Sequence, residues 1–146
     1  MSGIRALYLH VPFCARRCRY CDFSTAATRH GDERMGEYAR SLSNLASEAR
    51  ELGVLGDLAT AYVGGGTPTM LGSASLALIL DACGPGISEL TFEANPESLS
   101  DDILIRAREH GATRVSIGVQ SFDDRELAVL TSLTHSVRLQ RRLVRL

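Results

Sequence analysis

The 146-residue chain reads as an α/β protein, an incomplete TIM-type barrel of about four βα units. Three observations point there. Strand-like and helix-like stretches alternate from Ala6 onward as βαβαβαβα, with no internal repeat and no linker. Such alternation implies parallel strands with right-handed crossovers, and by itself it leaves a doubly wound sheet open. The second observation favours the barrel. One period-2 face of the strands is polar or small (Tyr8, His10; Thr91, Glu93, Asn95; Ser116, Gly118, Gln120), and the other is hydrocarbon (Leu7, Leu9, Val11; Leu90, Phe92; Val115, Ile117, Val119). Helices can cover the hydrocarbon side, leaving the polar side to line a wet or ligand-filled interior. Third, the residues with chemical promise sit at the C-terminal ends of strands, where α/β folds bind ligands.

The first strand is Ala6 to Phe13, ended by Pro12, and a cysteine-rich loop and a polar turn from Ser24 to Asp32 follow. The first helix runs from about Glu33 to Leu52. Met35, Tyr38, Leu42, Leu45, Ala49 and Leu52 form one apolar stripe at steps of three and four, and Gly53 supplies the stop. Asp57 to Val63 is the second strand, running into Gly64-Gly65-Gly66-Thr67-Pro68. Ser73 to about Ala82 is the second helix, with Ser73 as N-cap and Gly84-Pro85-Gly86 as breaker. Glu89 to Asn95 is the third strand, closed by Pro96. The third helix has Ser100 as N-cap, Asp101 and Asp102 in its first turn, and Gly111 past its end. Thr113 to Val119 is the fourth strand, and a fourth helix begins near Asp123 or Asp124.

Apolar residues make up 45% of the chain, enough for a packed core, and no apolar run reaches 18 residues, so no membrane span is expected. The start, Met1 to Arg5, lacks the charged and apolar regions of a signal peptide. A cytoplasmic, reducing location is therefore expected, in which cysteines serve metal or catalytic roles more often than disulfides. A net charge of −1 gives no reason to expect nucleic acid as a partner. All basic residues are arginine, and after Leu130 there are four of them (Arg138, Arg141, Arg142, Arg145) and no acid. Such a tail could be an interaction segment. The preferred reading is a chain end that has lost its normal continuation.

Cys14, Cys18 and Cys21 are spaced three, then two, residues apart directly after the first strand. Three thiolates can hold a four-iron cluster and leave one iron open to another ligand. A structural zinc needs a fourth ligand, for which His10 is the candidate. A disulfide with a spare thiol is a third possibility. Cys83, at the end of an apolar helix, reads as a small buried residue. The glycine run lets backbone approach a ligand closely, and without a following Lys it is no Walker loop. Glu93 and Gln120 lie in or at the end of apolar strands, where a polar group needs a partner or a ligand. With Tyr8 they fall at the same ends of the strands as the cysteine loop, as one site would require.

These motifs together resemble the radical S-adenosylmethionine (SAM) proteins. They are Cys14-x3-Cys18-x2-Cys21 with Tyr20 before the last cysteine, Gly64 to Pro68, Glu93-Ala-Asn-Pro96, and Ser116-Ile-Gly-Val-Gln-Ser-Phe122. The closest resemblance is to the family of oxygen-independent coproporphyrinogen III oxidase and the haem chaperone HemW, over residues 5 to about 130. It implies that Cys14, Cys18 and Cys21 ligate three irons of a [4Fe–4S] cluster. The fourth iron would take the methionine end of SAM, whose cleavage yields a 5′-deoxyadenosyl radical. It further implies SAM contacts from Tyr8, Gly65, Gly66, Thr67, Glu93 and Gln120, and Tyr20 beside the adenine. Haem or a porphyrinogen and an electron-donor protein are the other implied partners. Cys21 is followed by Asp22-Phe23, as in the chaperone branch, and not by the further cysteine of the oxidases. A haem chaperone is thus the first expectation and the oxidase, which decarboxylates its porphyrinogen, the second. The sequence departs from the family at Ser132, where an Arg pairs with the SAM carboxylate, and at His135, displaced by about one residue. The family core has six βα units and a C-terminal domain, so residues 1–146 are expected to be the N-terminal part of such a core, truncated, with the basic tail as altered sequence.

Overall fold

A computed structural model describes residues 3–130. The departures at Ser132 and His135 and the four arginines of the tail lie outside the described residues. Within them the chain forms β1 (Ala6–Val11), β2 (Phe13–Cys14), β3 (Ala26–Ala27), α1 (Glu33–Glu51), β4 (Thr60–Gly65), a 3-10 turn (Pro68–Leu71), α2 (Gly72–Cys83), β5 (Glu89–Ala94), α3 (Asp101–Glu109), β6 (Arg114–Ile117) and α4 (Asp124–Leu130).

β1, β4, β5 and β6 form one parallel sheet in that order. The register aligns Leu9 with Val63, Val63 with Phe92 and Phe92 with Val115 on one face. On the other it aligns Tyr8 with Tyr62, Tyr62 with Thr91, and Glu93 with Ser116. The hydrocarbon face meets Met35 and Ala39 of α1, Leu76, Ile79 and Leu80 of α2, and Ile103 and Ala107 of α3 in a single buried cluster. All three helices therefore share one side of the sheet, as a curved barrel wall requires and a doubly wound sheet does not. The central helix, α2, is apolar nearly all round because α1 and α3 flank it. Among the described residues no helix is long and apolar enough to cross a membrane.

Four local features differ from expectation. The first strand divides at Pro12, which has no N–H for a ladder. Phe13–Cys14 then pairs with Ala26–Ala27 as a short parallel ribbon. The second strand starts later, at Thr60, and continues through Gly64 and Gly65, which pair with His10 and Val11 of β1. In α1 the expected stripe fails towards its C-terminus, where Leu45 is 62% exposed and Leu52 73% exposed. Met35 is buried as expected, and the other buried positions are Ala39 and Ala46, small residues that let α1 lie close to α2. α2 begins at Gly72 without a side-chain cap, so Ser73 does not cap it; the preceding 3-10 turn takes that place, with the Gly72 N–H donating to the Thr69 carbonyl.

The helix ends otherwise follow the sequence. The Asp32 carboxylate accepts the Arg34 N–H at the start of α1, and Gly53, at φ 75°, ends it by donating to the Arg50 carbonyl. The Ser100 Oγ accepts the Ile103 N–H at the start of α3. Ser100→Ala is therefore expected to lower the unfolding free energy by about 1 kcal/mol, and Ser100→Asp to retain it, as read by urea denaturation.

Candidate functional site

The cysteine loop leaves the sheet at Pro12 and is tied at both ends. The Ala26 N–H donates to the Pro12 carbonyl (2.6 Å) and the Thr28 N–H to the Cys14 carbonyl (2.8 Å). Inside the loop the Cys21 N–H reaches the Cys18 carbonyl (3.2 Å), turning the chain so that the last two cysteines are neighbours. A third tie comes from β1, where His10 Nε2 lies 2.9 Å from the Ser24 carbonyl oxygen. A carbonyl only accepts, so Nε2 carries the proton. Nδ1 is then the acceptor for the Tyr8 hydroxyl at 3.2 Å. The Tyr38 hydroxyl from α1 donates to the His10 carbonyl (2.6 Å).

His10 is thus fully engaged and is not placed as a fourth ligand beside the cysteines. Among the described residues no three His, Cys, Asp or Glu side chains converge as ligands of a single ion. Thiolates that each bind a different iron of one cluster need not converge in that way. All four cysteines are free thiols. Cys83 is buried beneath α1, as expected of a packing residue, and burial pushes its thiol up to about 11.

The glycine loop lies against the cysteine loop through backbone alone. The Gly66 N–H donates to the Val11 carbonyl and the Thr67 N–H to the Phe13 carbonyl, each at 2.7 Å. A Cβ on Gly66 would stand 2.6 Å from the Phe13 oxygen, 2.8 Å from the Val11 oxygen and 3.0 Å from the Cys14 Sγ. Gly65 has φ 111°, and a Cβ there would collide with the His10 ring. The Gly65 N–H donates to Glu93 Oε2 (2.9 Å), while the Tyr62 hydroxyl donates to Glu93 Oε1 (2.8 Å). Glu93 thereby has the partners that a carboxylate inside an apolar strand requires. Further along, Asn95 Nδ2 donates to the Thr67 hydroxyl (3.0 Å), which donates to Cys14 Sγ (3.7 Å). Gln120 is the one non-glycine residue at positive φ (65°) among the described residues, a backbone cost that functional sites retain.

These groups surround one cleft of about 290 Å³ at the C-terminal ends of the strands. It collects Cys14, Cys18, Cys21, Tyr20, Gly65, Gly66, Thr67, Glu93 and Gln120, together with Asn95, Phe23 and Thr25. Tyr8 does not line it. Its ring is 53% exposed, stacks on Tyr62 at 6.1 Å and braces His10. Tyr62 and Thr25 were missed in the sequence. The strand register could have found Tyr62, because it shares a face with Tyr8; Thr25 carries no motif signal.

Burial raises the Cys14 thiol, against hydrogen bonds from Thr67 and Thr25 that lower it, and the other two cysteines raise it further. Burial also raises Cys18, opposed by a bond from Tyr20. The Tyr20 hydroxyl is pushed up to about 12 by burial and then by the charge of Cys18. Ligation by these sulfurs as thiolates must therefore displace protons.

The radical SAM superfamily model matches residues 8–145. That span takes in the basic stretch after Leu130. The bovine (Bos taurus) protein "Radical S-adenosyl methionine domain-containing protein 1, mitochondrial" is 38% identical over 138 residues, 91% of this chain and 30% of the relative. A Mycobacterium tuberculosis (H37Rv) protein named heme chaperone HemW is 40% identical over 134 residues, 85% of this chain and 33% of the relative. Among solved structures, coproporphyrinogen III oxidase (HemN) from Escherichia coli, titled a radical SAM enzyme, superposes with a TM-score of 0.79 at 23% identity. It covers 97% of this chain and 34% of that one, and shows the fold. The chain thus spans about a third of the length of the curated relatives it matches.

The contact at Gly66 yields a direct test. Gly66→Ala presses a methyl group onto two carbonyl oxygens, and is expected to destabilise the chain by about 1–3 kcal/mol in urea. Ala at the open position Gly56, where the nearest atom stands 3.8 Å away, should leave the midpoint within error.

Proposed function

We propose, for a chain that belongs to the radical SAM superfamily, that the cleft binds a [4Fe–4S] cluster and SAM in the service of haem or porphyrin chemistry. The observation that carries this reading is the meeting of three cysteines and the Gly65–Thr67, Glu93 and Gln120 groups in one cleft. The residues fit the cofactors the superfamily implies: three thiols on one loop, a bare backbone edge at Gly65 and Gly66, and polar acceptors opposite. When bound and reduced, the cluster would supply the one electron for reductive cleavage of SAM to methionine and a 5′-deoxyadenosyl radical.

The chain's own residues have separable tasks. Cys14, Cys18 and Cys21 hold three irons and leave the fourth to the amino and carboxylate groups of SAM. The backbone at Gly65 and Gly66 admits the methionine end closely, because no side chain stands there. Glu93 fixes the Gly65 peptide and offers negative charge to the SAM cation. Gln120, in its strained backbone conformation, and Tyr20 line the cleft, where the Tyr20 ring would pack beside the adenine. Tyr8 acts one step removed, through His10.

Within haem metabolism we take the chaperone as the first reading, because Cys21 is followed by Asp22-Phe23 with no further cysteine. The relative named a heme chaperone supports it. The decarboxylating oxidase is the second. The four βα units form the N-terminal part of the family core, and haem or porphyrinogen recognition by the whole protein would draw on units beyond them. The electron would come from a separate donor protein.

Anaerobic treatment of the chain with iron and sulfide is expected to give a brown protein with a reducible four-iron EPR signal. Cys18→Ala should abolish that signal. A colourless product with unchanged folding would sink the reading. On the whole protein, loaded in the same way, haem uptake without carbon dioxide release from coproporphyrinogen would support the chaperone. Carbon dioxide release would support the oxidase.

A further inference from the structure

Of the cysteine sulfurs that line the cleft, Cys14 Sγ has the most elaborate surroundings. It lies against the bare Gly66 backbone and receives the hydroxyl of Thr67 at 3.7 Å. Thr67 is only 3% exposed, and its oxygen already accepts Asn95 Nδ2 at 3.0 Å. A hydroxyl has one proton to give. With Asn95 donating to its oxygen, Thr67 is left to donate to sulfur.

Both members are also pinned through the main chain. The Thr67 N–H is bound to the Phe13 carbonyl, and the Thr67 carbonyl accepts the Met70 N–H (2.9 Å). The Asn95 carbonyl accepts the Ser98 and Leu99 N–H groups, each at 3.1 Å. The chain of hydrogen bonds from the end of β5 to the sulfur is therefore directional, and it occupies the hydroxyl of Thr67, a residue that the family resemblance places in contact with SAM.

We propose that Asn95 and Thr67 form a hydrogen-bond relay whose final donor, the Thr67 hydroxyl, acts on the Cys14 thiolate and raises the reduction potential of the cluster that Cys14 helps to hold. This rests on the cluster reading above. A donor to a ligating sulfur withdraws negative charge and so favours the state that carries the extra electron. The low dielectric around a buried hydroxyl strengthens the effect. Asn95 is a positioning residue, since it touches neither sulfur nor iron.

The test is a potentiometric titration of the anaerobically loaded full chain. Dithionite supplies the single electron, and EPR of the reduced cluster reads the midpoint. Thr67→Val, which keeps the shape and loses the proton, should move the midpoint to a more negative potential. Thr67→Ser should restore it, and Asn95→Ala should shift it the same way by less. A fully loaded Thr67→Val chain with the wild-type midpoint would overturn the relay, as would a Thr67→Ser shift equal to that of Thr67→Val. If Thr67→Val fails to load, a loaded Asn95→Ala chain with the wild-type midpoint overturns it equally. Iron and sulfide content separates the two levels: a wild-type chain that takes up no cluster removes the cluster reading itself, whereas a loaded chain with an unmoved midpoint removes only the relay.

Discussion

The close approach of Gly66 to the turn after β1 is the constraint on which the site depends. Two backbone segments that follow different strands lie against each other there, joined by hydrogen bonds of 2.7 Å to Val11 and Phe13. There is room for a hydrogen atom and not for a carbon. Because β1 and β4 are neighbours in register, with Val11 opposite Gly65, the sheet delivers both loops to the same point. Everything in the cleft is placed from that contact: the sulfur of Cys14 on one side, the peptide of Gly65 and its tie to Glu93 on the other.

The polar face of the sheet extends this organisation. Tyr62 and Glu93 come from adjacent strands, and their bond holds the carboxylate where it can also bind the Gly65 N–H. Tyr8 and His10 act from β1 on the far end of the cysteine loop. The site is therefore braced from two directions, by β5 through the glycine loop and by β1 through the imidazole. Side chains that touch no ligand carry much of that bracing, and they take up the buried polar capacity that would otherwise be costly.

Much of this was legible in the residues, because period-2 alternation and the glycine and cysteine spacings are local patterns. The four main strands and the helices fall where those patterns put them, and nine of the ten residues singled out line one cleft. What local pattern does not contain is register and packing partner. Tyr8 looked like a cleft residue because its face was right, but its height on the strand was not, and it meets Tyr62 and His10 instead. Tyr62 escaped notice for the converse reason. The stripe on α1 was misjudged because helix spacing alone does not say whether a neighbour needs a leucine or an alanine. Pro12 signalled an end correctly, but nothing local announced that Phe13 and Cys14 would pair with Ala26 and Ala27.

That small ribbon has a thermodynamic consequence. In zinc-finger peptides the metal joins the ends of a floppy loop, so that losing the metal unfolds the chain. Here the ribbon, the Pro12 and Cys14 carbonyl bonds and the His10 imidazole join the ends of the cysteine loop within the protein itself. The entropy of closing that loop is borne by the folding of the sheet, not by the binding of a cofactor. The order of that loop is thereby set by the same sheet that orders the core, through hydrogen bonds of the polypeptide itself.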